Sequence, residues 1–566
     1  MSAAAAEPSF VSGTGTEPLL YRTVDAVLKV AAAEHPERLG LASTESAERY
    51  TFAELDEEVE ACARGLVALG LKVGERIGIW APNRSEWVLT MFAAARAGLI
   101  LVNINPAYRS HELGFALKLV GCRALVFAPS FKGSDYFALL EEIIPELATA
   151  ERGLLHAGGF PELRLLIELG SSASPGCLTF GDLRAAGDEL APGALAAIGA
   201  MLDPDQAFNI QFTSGTTGTP KGATLSHFSI VNNGFFVGEC LGLSSADRIC
   251  IPVPMYHCFG MVLGVLAAMT HGAASIFPSE GFDPLAVLQT VAEARCTVLL
   301  GVPTMFIAAL EHPRFAEFDL RSLRTGIMAG APCPIAVMRR VIDDMHMADV
   351  TICYGMTETS PVSFQSLSND PLERRVSTVG RIHPHVQVKI IDGDGRVTPR
   401  GVAGELLTRG YSVMQGYWNE PERTREAIDA AGWMHTGDLA VIDADGYCNI
   451  VGRVKDLIIR GGENISPREI EEFLYQHPAV LDVAVVGVPD SKYGEAVCAC
   501  IRLRAGAGAT EAEIRDYCRG RIAHYKVPRY VRFVEGFPLT VTGKIQKFRI
   551  REQLRVDLNL TEEQHA

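Results

Sequence analysis

Residues 208–222 read FNIQFTSGTTGTPKG. An alternating run, Phe208 to Phe212, leads into a loop of Thr213, Ser214, Gly215, Thr216, Thr217, Gly218, Thr219, Pro220, Lys221 and Gly222. The run reads as a β-strand, so the loop starts at a strand's carboxyl end. Two interior glycines, five hydroxyl residues and one lysine share these ten positions. Glycines let the backbone turn and approach an anion closely, hydroxyls and N–H groups donate to phosphate oxygens, and Lys221 adds a charge. The loop is not a Walker A motif, because Pro220 precedes the lysine and Gly222 follows it. Gly543-Lys544 is followed by Ile545 and fails the same test. No G-x-G-x-x-G occurs, which counts against a dinucleotide fold. Taken alone, a Gly/Thr loop also reads as a solvated turn.

The surrounding pattern is α/β. Arg76–Trp80 (RIGIW) reads as a strand, and Ser85 as the N-cap of a helix carrying Trp87, Val88, Met91, Phe92 and Ala95 on one side. Leu99–Ile104, Thr297–Val302, Ile327–Ala329 and Val350–Cys353 read as further strands; Pro284–Ala294 and Ile335–Met345 read as helices. This alternation predicts a large lobe of parallel-rich sheets sandwiched by helices. The character changes near RVKDLIIRGG (453–462). Beyond it, Val480–Val488, Ala496–Leu503 and Tyr530–Val534 read as strands, with a turn-rich stretch at Pro489–Gly494. Thr510 and Glu513 form a capping box for a helix running to about His524. The expected organisation is a disordered leader over 1–20, a large N-terminal domain over 21–455, and a small mobile α+β C-terminal domain over 456–566.

Composition bounds the function. The chain has 566 residues, is 48% hydrophobic and 21% charged, and is neither low-complexity nor disordered overall. Its 51 basic and 67 acidic residues leave a net charge of −16, which disfavours nucleic acid and anionic membranes as partners. A small anion such as ATP is compatible, because a few lysines and N–H groups set the local field. The 13 cysteines are scattered without a C-x-x-C pair, which fits a reducing cytoplasm. Met1–Pro18 lacks Lys and Arg and carries Glu7 and Glu17, unlike a signal or transit peptide. Ile249–Ser279 contains no charged residue, but its continuous apolar part, Phe259–Thr270, is shorter than the roughly 18 residues a membrane span needs. It reads as a buried strand and helix.

Two more polar loops follow predicted strands. Tyr354-Gly-Met-Thr-Glu358 offers Thr357 to a phosphate and Glu358 to a Mg²⁺ ion beside ATP, or else a helix N-cap with a first-turn acid. Trp433-Met-His-Thr-Gly-Asp438 offers an aspartate to ribose hydroxyls, or else an Asx-turn. Ligands of open α/β sheets gather beyond the carboxyl ends of strands, so these loops can face one crevice.

TSGTTGTPKG, PMYH, GAP, YGMTE, TGD, GRVKD and TGK follow one another in this order between residues 213 and 544. The series resembles the adenylate-forming superfamily of acyl- and aryl-CoA synthetases, non-ribosomal adenylation domains and firefly-type luciferases, over roughly Tyr21 to Leu554. Within it, MYHCFG, GAPCP and GGENISPREIEE are most similar to medium-chain fatty acyl-CoA synthetases. The resemblance implies that residues 213–222 embrace the β- and γ-phosphates of ATP, that Thr357 contacts the α-phosphate and that Glu358 holds Mg²⁺. Gly330, Ala331 and Pro332 would line the adenine slot, with Tyr354 stacking on the base. Asp438, helped by Arg453, would take the ribose. Lys544 would bridge carboxylate and α-phosphate. His257 would stand at the acyl pocket near the pantetheine thiol, with Ala329, Gly330 and Gly355 leaving room for a chain. Gly461 and Gly462 would let the pantetheine arm pass, and Lys455–Asp456 would be the hinge.

The implied reaction joins a carboxylic acid, expected to be a medium-chain fatty acid, to coenzyme A through an acyl-AMP, with release of pyrophosphate and AMP. Aryl or short branched acids remain open. So does a stand-alone adenylating enzyme loading a carrier-protein thiol, although no carrier domain is expected after the small domain. A non-catalytic nucleotide binder would predict erosion at Lys221, Glu358, Asp438 or Lys544, and all four are present. The residues leave the oligomeric state open.

Overall fold

The computed structural model describes residues 7–213, 220–331, 333–460, 463–490, 493–539 and 545–558. Two large sheets form the body. The eight-stranded sheet runs, in spatial order, Leu178–Thr179, Leu165–Glu168, Cys122–Phe127, Arg76–Trp80, Ile100–Asn103, Ala207–Thr213, Lys221–Ser226 and Gly416–Tyr417. Its first six strands are parallel, and the last two turn antiparallel. The nine-stranded sheet has a parallel centre, from Asp349–Gly355 through Thr325–Ala329, Val298–Gly301, Arg248–Cys250 and Ala274–Phe277 to Leu39–Ser43, with antiparallel strands at both edges.

Arg76–Trp80 shows why the centre is parallel. Ile77, Ile79 and Trp80 are fully buried, on both faces of the strand. A strand covered on both faces reads as a continuous apolar run. The helices Ser85–Arg96 and His227–Leu241 each touch strands of both sheets, so nearly every residue of Ser85–Arg96 is buried. Arg84, not Ser85, holds the N-cap position of the first of these helices. Ser85 is drawn into the first turn, and its hydroxyl is buried without a partner among the described residues.

A third sheet departs from the parallel-rich expectation. Phe10–Ser12, Val386–Ile391, Gly404–Gly410, Met434–Ile442 and Cys448–Arg453 pair antiparallel throughout. Met434–Ile442 alternates buried and half-buried residues along its whole length, as a strand with one covered face does. The leader expected to be disordered over 1–20 is ordered from residue 7 in the structure. Phe10–Ser12 adds a strand to this sheet, and the Phe10 ring meets the edge of Trp433 at 6.3 Å. Phe259–Leu266 forms a π-helical segment, wholly buried, followed by Ala267–Thr270. Among the described residues no helix is long and apolar enough to cross a membrane.

The short turn Val454–Asp456 leads from Cys448–Arg453 to a smaller sheet of Glu463–Ile465, Ile458–Arg460, Gly494–Leu503 and Val480–Asp490, with Tyr530–Phe533 parallel to Gly494–Leu503. The two long strands extend into the stretch expected to be turn, to Asp490 and from Gly494. Their side chains alternate between two cores. Val483, Val485, Val497 and Ile501 face Ile470 and Ile514; Val486, Val488, Cys498 and Cys500 face Ile550 and Leu554. The capping box of Thr510 and Glu513 forms, but the helix stops at Cys518 rather than His524. Arg519 turns extended, and Gly520 takes the left-handed conformation that favours glycine.

Candidate active site

Three polar segments from three sheets meet, two of them at the carboxyl ends of strands and the third inside a strand. Ala207–Thr213 delivers Thr213, and the return strand begins directly opposite it, since Thr213 and Lys221 are register partners. Pro220 and Lys221 are in place; Ser214, Gly215, Thr216, Thr217, Gly218 and Thr219 lie outside the described residues. Asp349–Gly355 delivers Tyr354, and the chain then doubles back. A Cβ on Gly355 would sit 1.7 Å from the Pro361 carbonyl oxygen, so only glycine fits this reversal. The tight turn Thr357–Thr359 follows, with Thr357 and Glu358 buried.

Glu358 ties the first two segments together. Its Oε1 accepts from the Thr213 hydroxyl at 3.3 Å and from the Tyr417 hydroxyl at 2.9 Å. The Lys221 ammonium lies 4.7 Å from the centre of the Tyr417 ring. Burial, then the Glu358 charge, pushes the Tyr417 hydroxyl well above its ordinary pKa, so it remains a donor.

Asp438 organises the third segment. It sits inside Met434–Ile442, opposite Arg453 on the next strand, and is therefore not an Asx-turn residue. Its Oδ1 accepts from Arg453 Nε at 2.7 Å and its Oδ2 from the Tyr354 hydroxyl at 2.5 Å. The Asp438 side chain is 5% exposed, while the Arg453 side chain is 61% exposed. Asp438 raises the guanidinium's pKa, and burial followed by the Asp438 charge raises that of Tyr354. Gly330 and Ala331 follow the strand beside Tyr354, through the Ala329–Cys353 pair, and Gly330 takes φ +87°. Pro332 lies outside the described residues.

His257 stands just before the π-helical segment, and its Nδ1 accepts from the Phe259 N–H at 3.2 Å. Its neighbour Cys258 donates to Gln211 Oε1 at 3.1 Å. Burial, then the Glu358 charge, pushes the Cys258 thiol up to about 12, so it stays protonated. Gln211 in turn donates to Asn209 at 2.9 Å, and Asn209 to Asn103 at 2.9 Å. This buried amide chain links the His257 loop to the strand that carries Thr213. Sequence reading missed Gln211, Cys258 and Tyr417. Two amides inside an otherwise apolar strand were the available signal for the first; Tyr417 had none. A cleft lined by Ala81, Asn83, Lys132, Tyr256 and Glu280 opens beside the His257 loop. Gly461, Gly462 and Lys544 lie outside the described residues.

The model of the AMP-binding enzyme family matches residues 28–418, and that of the AMP-binding enzyme C-terminal domain matches residues 469–544. YngI of Bacillus subtilis is 48% identical over 96% of this chain and 100% of its own length. The medium-chain acyl-CoA ligase ACSF2, mitochondrial, of Danio rerio is 48% identical over 98% of this chain and 91% of its own. Among solved structures, the anthranilate CoA ligase AuaEII in complex with anthranoyl-AMP superposes with a TM-score of 0.83 at 27% identity, covering 96% of this chain and 99% of that one. ATP-bound MatB from Rhodopseudomonas palustris gives 0.79 at 28% identity, over 95% and 99%. With Thr213, Glu358, Tyr354 and Asp438 brought together by hydrogen bonds and a family model matching most of its length, the chain belongs to the AMP-binding enzymes, the adenylate-forming family whose motif order it carries.

Proposed function

We propose that the chain is an ATP-dependent carboxylic acid–CoA ligase acting on medium-chain fatty acids. The acid's carboxylate attacks the α-phosphorus of ATP, giving acyl-AMP and pyrophosphate. The CoA thiol then attacks the acyl carbon and AMP leaves. The observation that carries this reading is the pair of hydrogen-bonded clusters. Thr213, Glu358 and Tyr417 form one beside Lys221, and Tyr354, Asp438 and Arg453 form a polar wall suited to ribose. The name of the ACSF2 relatives supports the medium-chain assignment.

Both Glu358 hydrogen bonds fall on Oε1, and Oε2 accepts none among the described residues. A single hard carboxylate suits Mg²⁺, which binds proteins through one or two carboxylates and takes its other ligands from phosphates and water. Bound there, the ion would offset phosphate charge. No group of three or more His, Cys, Asp or Glu gathers as a metal site among the described residues. On this reading His257 would stand at the acyl pocket near the pantetheine thiol, and Gly461 and Gly462 would let the pantetheine arm pass. The cytoplasm is the compartment we assign, on cysteine usage.

Pyrophosphate release with MgATP and acids from acetate to palmitate, plus benzoate, tests the reading with and without CoA. The expected result is a peak at six to ten carbons with CoA consumed and AMP formed. Release that ignores CoA would point to a carrier-protein thiol, and no release with any acid would overturn the assignment.

One active site must serve two steps, so we assign the hinge to Lys455–Asp456, in the turn Val454–Asp456. Asp456→Pro is expected to leave acyl-AMP formation within about twofold and to slow thioester formation by about tenfold or more, because proline suits a tight turn's φ but blocks rotation about it. Separate assays of the two half-reactions read this out. An unchanged second step would place the hinge elsewhere.

A further inference from the structure

Lys221 and Glu358 carry opposite charges in one small site, yet no ion pair joins them among the described residues. Between them stands Tyr417, 8% exposed. Its ring face receives the Lys221 ammonium at 4.7 Å, and its hydroxyl donates to Glu358 Oε1 at 2.9 Å. One side chain thus satisfies a cation through its quadrupole and an anion through its O–H.

The backbone fixes this arrangement from both sides. Tyr417 pairs with Ala223, two residues beyond Lys221, and the Trp418 N–H donates to the Gly222 carbonyl at 2.8 Å. The Met414 N–H donates to the Glu358 carbonyl at 2.9 Å. The Tyr417 N–H donates to Thr424 Oγ1 at 2.9 Å, which anchors the segment from a third direction. The backbone that carries the ring is therefore tied both to the strand that bears Lys221 and to the turn that bears Glu358.

A nucleotide with its cation needs both groups at once, the ammonium for phosphate oxygens and the carboxylate for the metal. Were the two paired, binding would first have to part them in a half-buried site. We propose that Tyr417 is a positioning residue that holds the phosphate-binding lysine and the cation-binding carboxylate apart, keeping both available before the nucleotide arrives. This rests on the reading of the crevice as an ATP site.

The test is ATP binding by calorimetry to the full-length protein, without acid so that nothing turns over, in EDTA and in excess Mg²⁺. Thermal unfolding serves as the control for folding. Tyr417→Phe keeps the ring and loses the hydroxyl. It is expected to bind metal-free ATP as the unsubstituted protein does and to lose about tenfold of the affinity gained from Mg²⁺. Tyr417→Leu lets Lys221 reach Glu358, and its affinity for metal-free ATP is expected to fall about tenfold. Adding Glu358→Gln to Tyr417→Leu removes the competing charge and is expected to restore metal-free affinity, which a merely structural role would not do. Unchanged binding by Tyr417→Leu, or no recovery in the double variant, overturns the proposal. If the unsubstituted protein binds no ATP under either condition, the ATP-site reading itself falls, and this proposal with it.

Discussion

Lys544→Ala is expected to slow acyl-adenylate formation by about three orders of magnitude while leaving thioester formation from pre-made acyl-AMP within about threefold. The first step brings a carboxylate onto a phosphate that is already negative, in a protein whose net charge is −16. Positive charge is scarce at the site. Arg453 is committed to Asp438 at 2.7 Å, and Lys221 rests on Tyr417 beside the phosphate loop. On the proposed reading neither bridges the two reacting groups. On the proposed reading Lys544 supplies that bridge, and its removal leaves the repulsion of two anions uncompensated in a water-poor site. The second step attacks an acyl carbon whose leaving group is already activated, so it needs no such bridge. Pyrophosphate exchange reads the first step, and single-turnover reaction of synthetic acyl-AMP with CoA reads the second. An equal loss in both would remove Lys544 from this role.

Asp438→Asn is expected to raise the KM for ATP about a hundredfold with little change in the KM for the acid, since each hydrogen bond to a buried charge is worth about 1.5–3 kcal/mol. The substitution keeps the shape and removes the charge. It also leaves one acceptor oxygen where two now serve Arg453 and Tyr354. The carboxylate is too buried for water to make good the loss. Initial rates across an ATP titration check this. An unchanged KM for ATP would show that Asp438 only ties its two strands together.

Local patterns carried the parallel body and singled out three motif segments, the third of which lies inside a strand rather than in a loop. RIGIW reads as a strand because its burial on both faces writes an unbroken apolar run. TSGTTGTPKG and YGMTE read as ligand loops because glycine and hydroxyl chemistry is local. What was not legible depends on pairing across the chain. Phe10–Ser12 reaches Val386–Ile391, far downstream, and nothing within three residues of sequence announces a sheet edge waiting there. Tyr417 lies in a stretch with no motif, and its place between Lys221 and Glu358 follows from strands that only folding brings together. Ser85 was read as a cap from its residue type, although burial between two sheets shifted the helix start by one position. The helix after Thr510 ended early because Gly520 outweighed the apolar pattern.

The small C-terminal sheet is clothed on both faces by helices of its own, and its two cores share no residue with those of the larger part. What ties it to the preceding antiparallel sheet includes a Ser466 hydroxyl on the Val451 carbonyl and an Arg468 guanidinium on the Ile450 carbonyl. If the small domain turns as proposed, it would trade such bonds for bonds to water, and its poses would differ little in free energy. A gap that small can be tipped by whichever ligand is aboard, with no added latch. Nucleotide and leaving pyrophosphate would then act as the domain's ballast, and the order of the two chemical steps would be written into which of them is present.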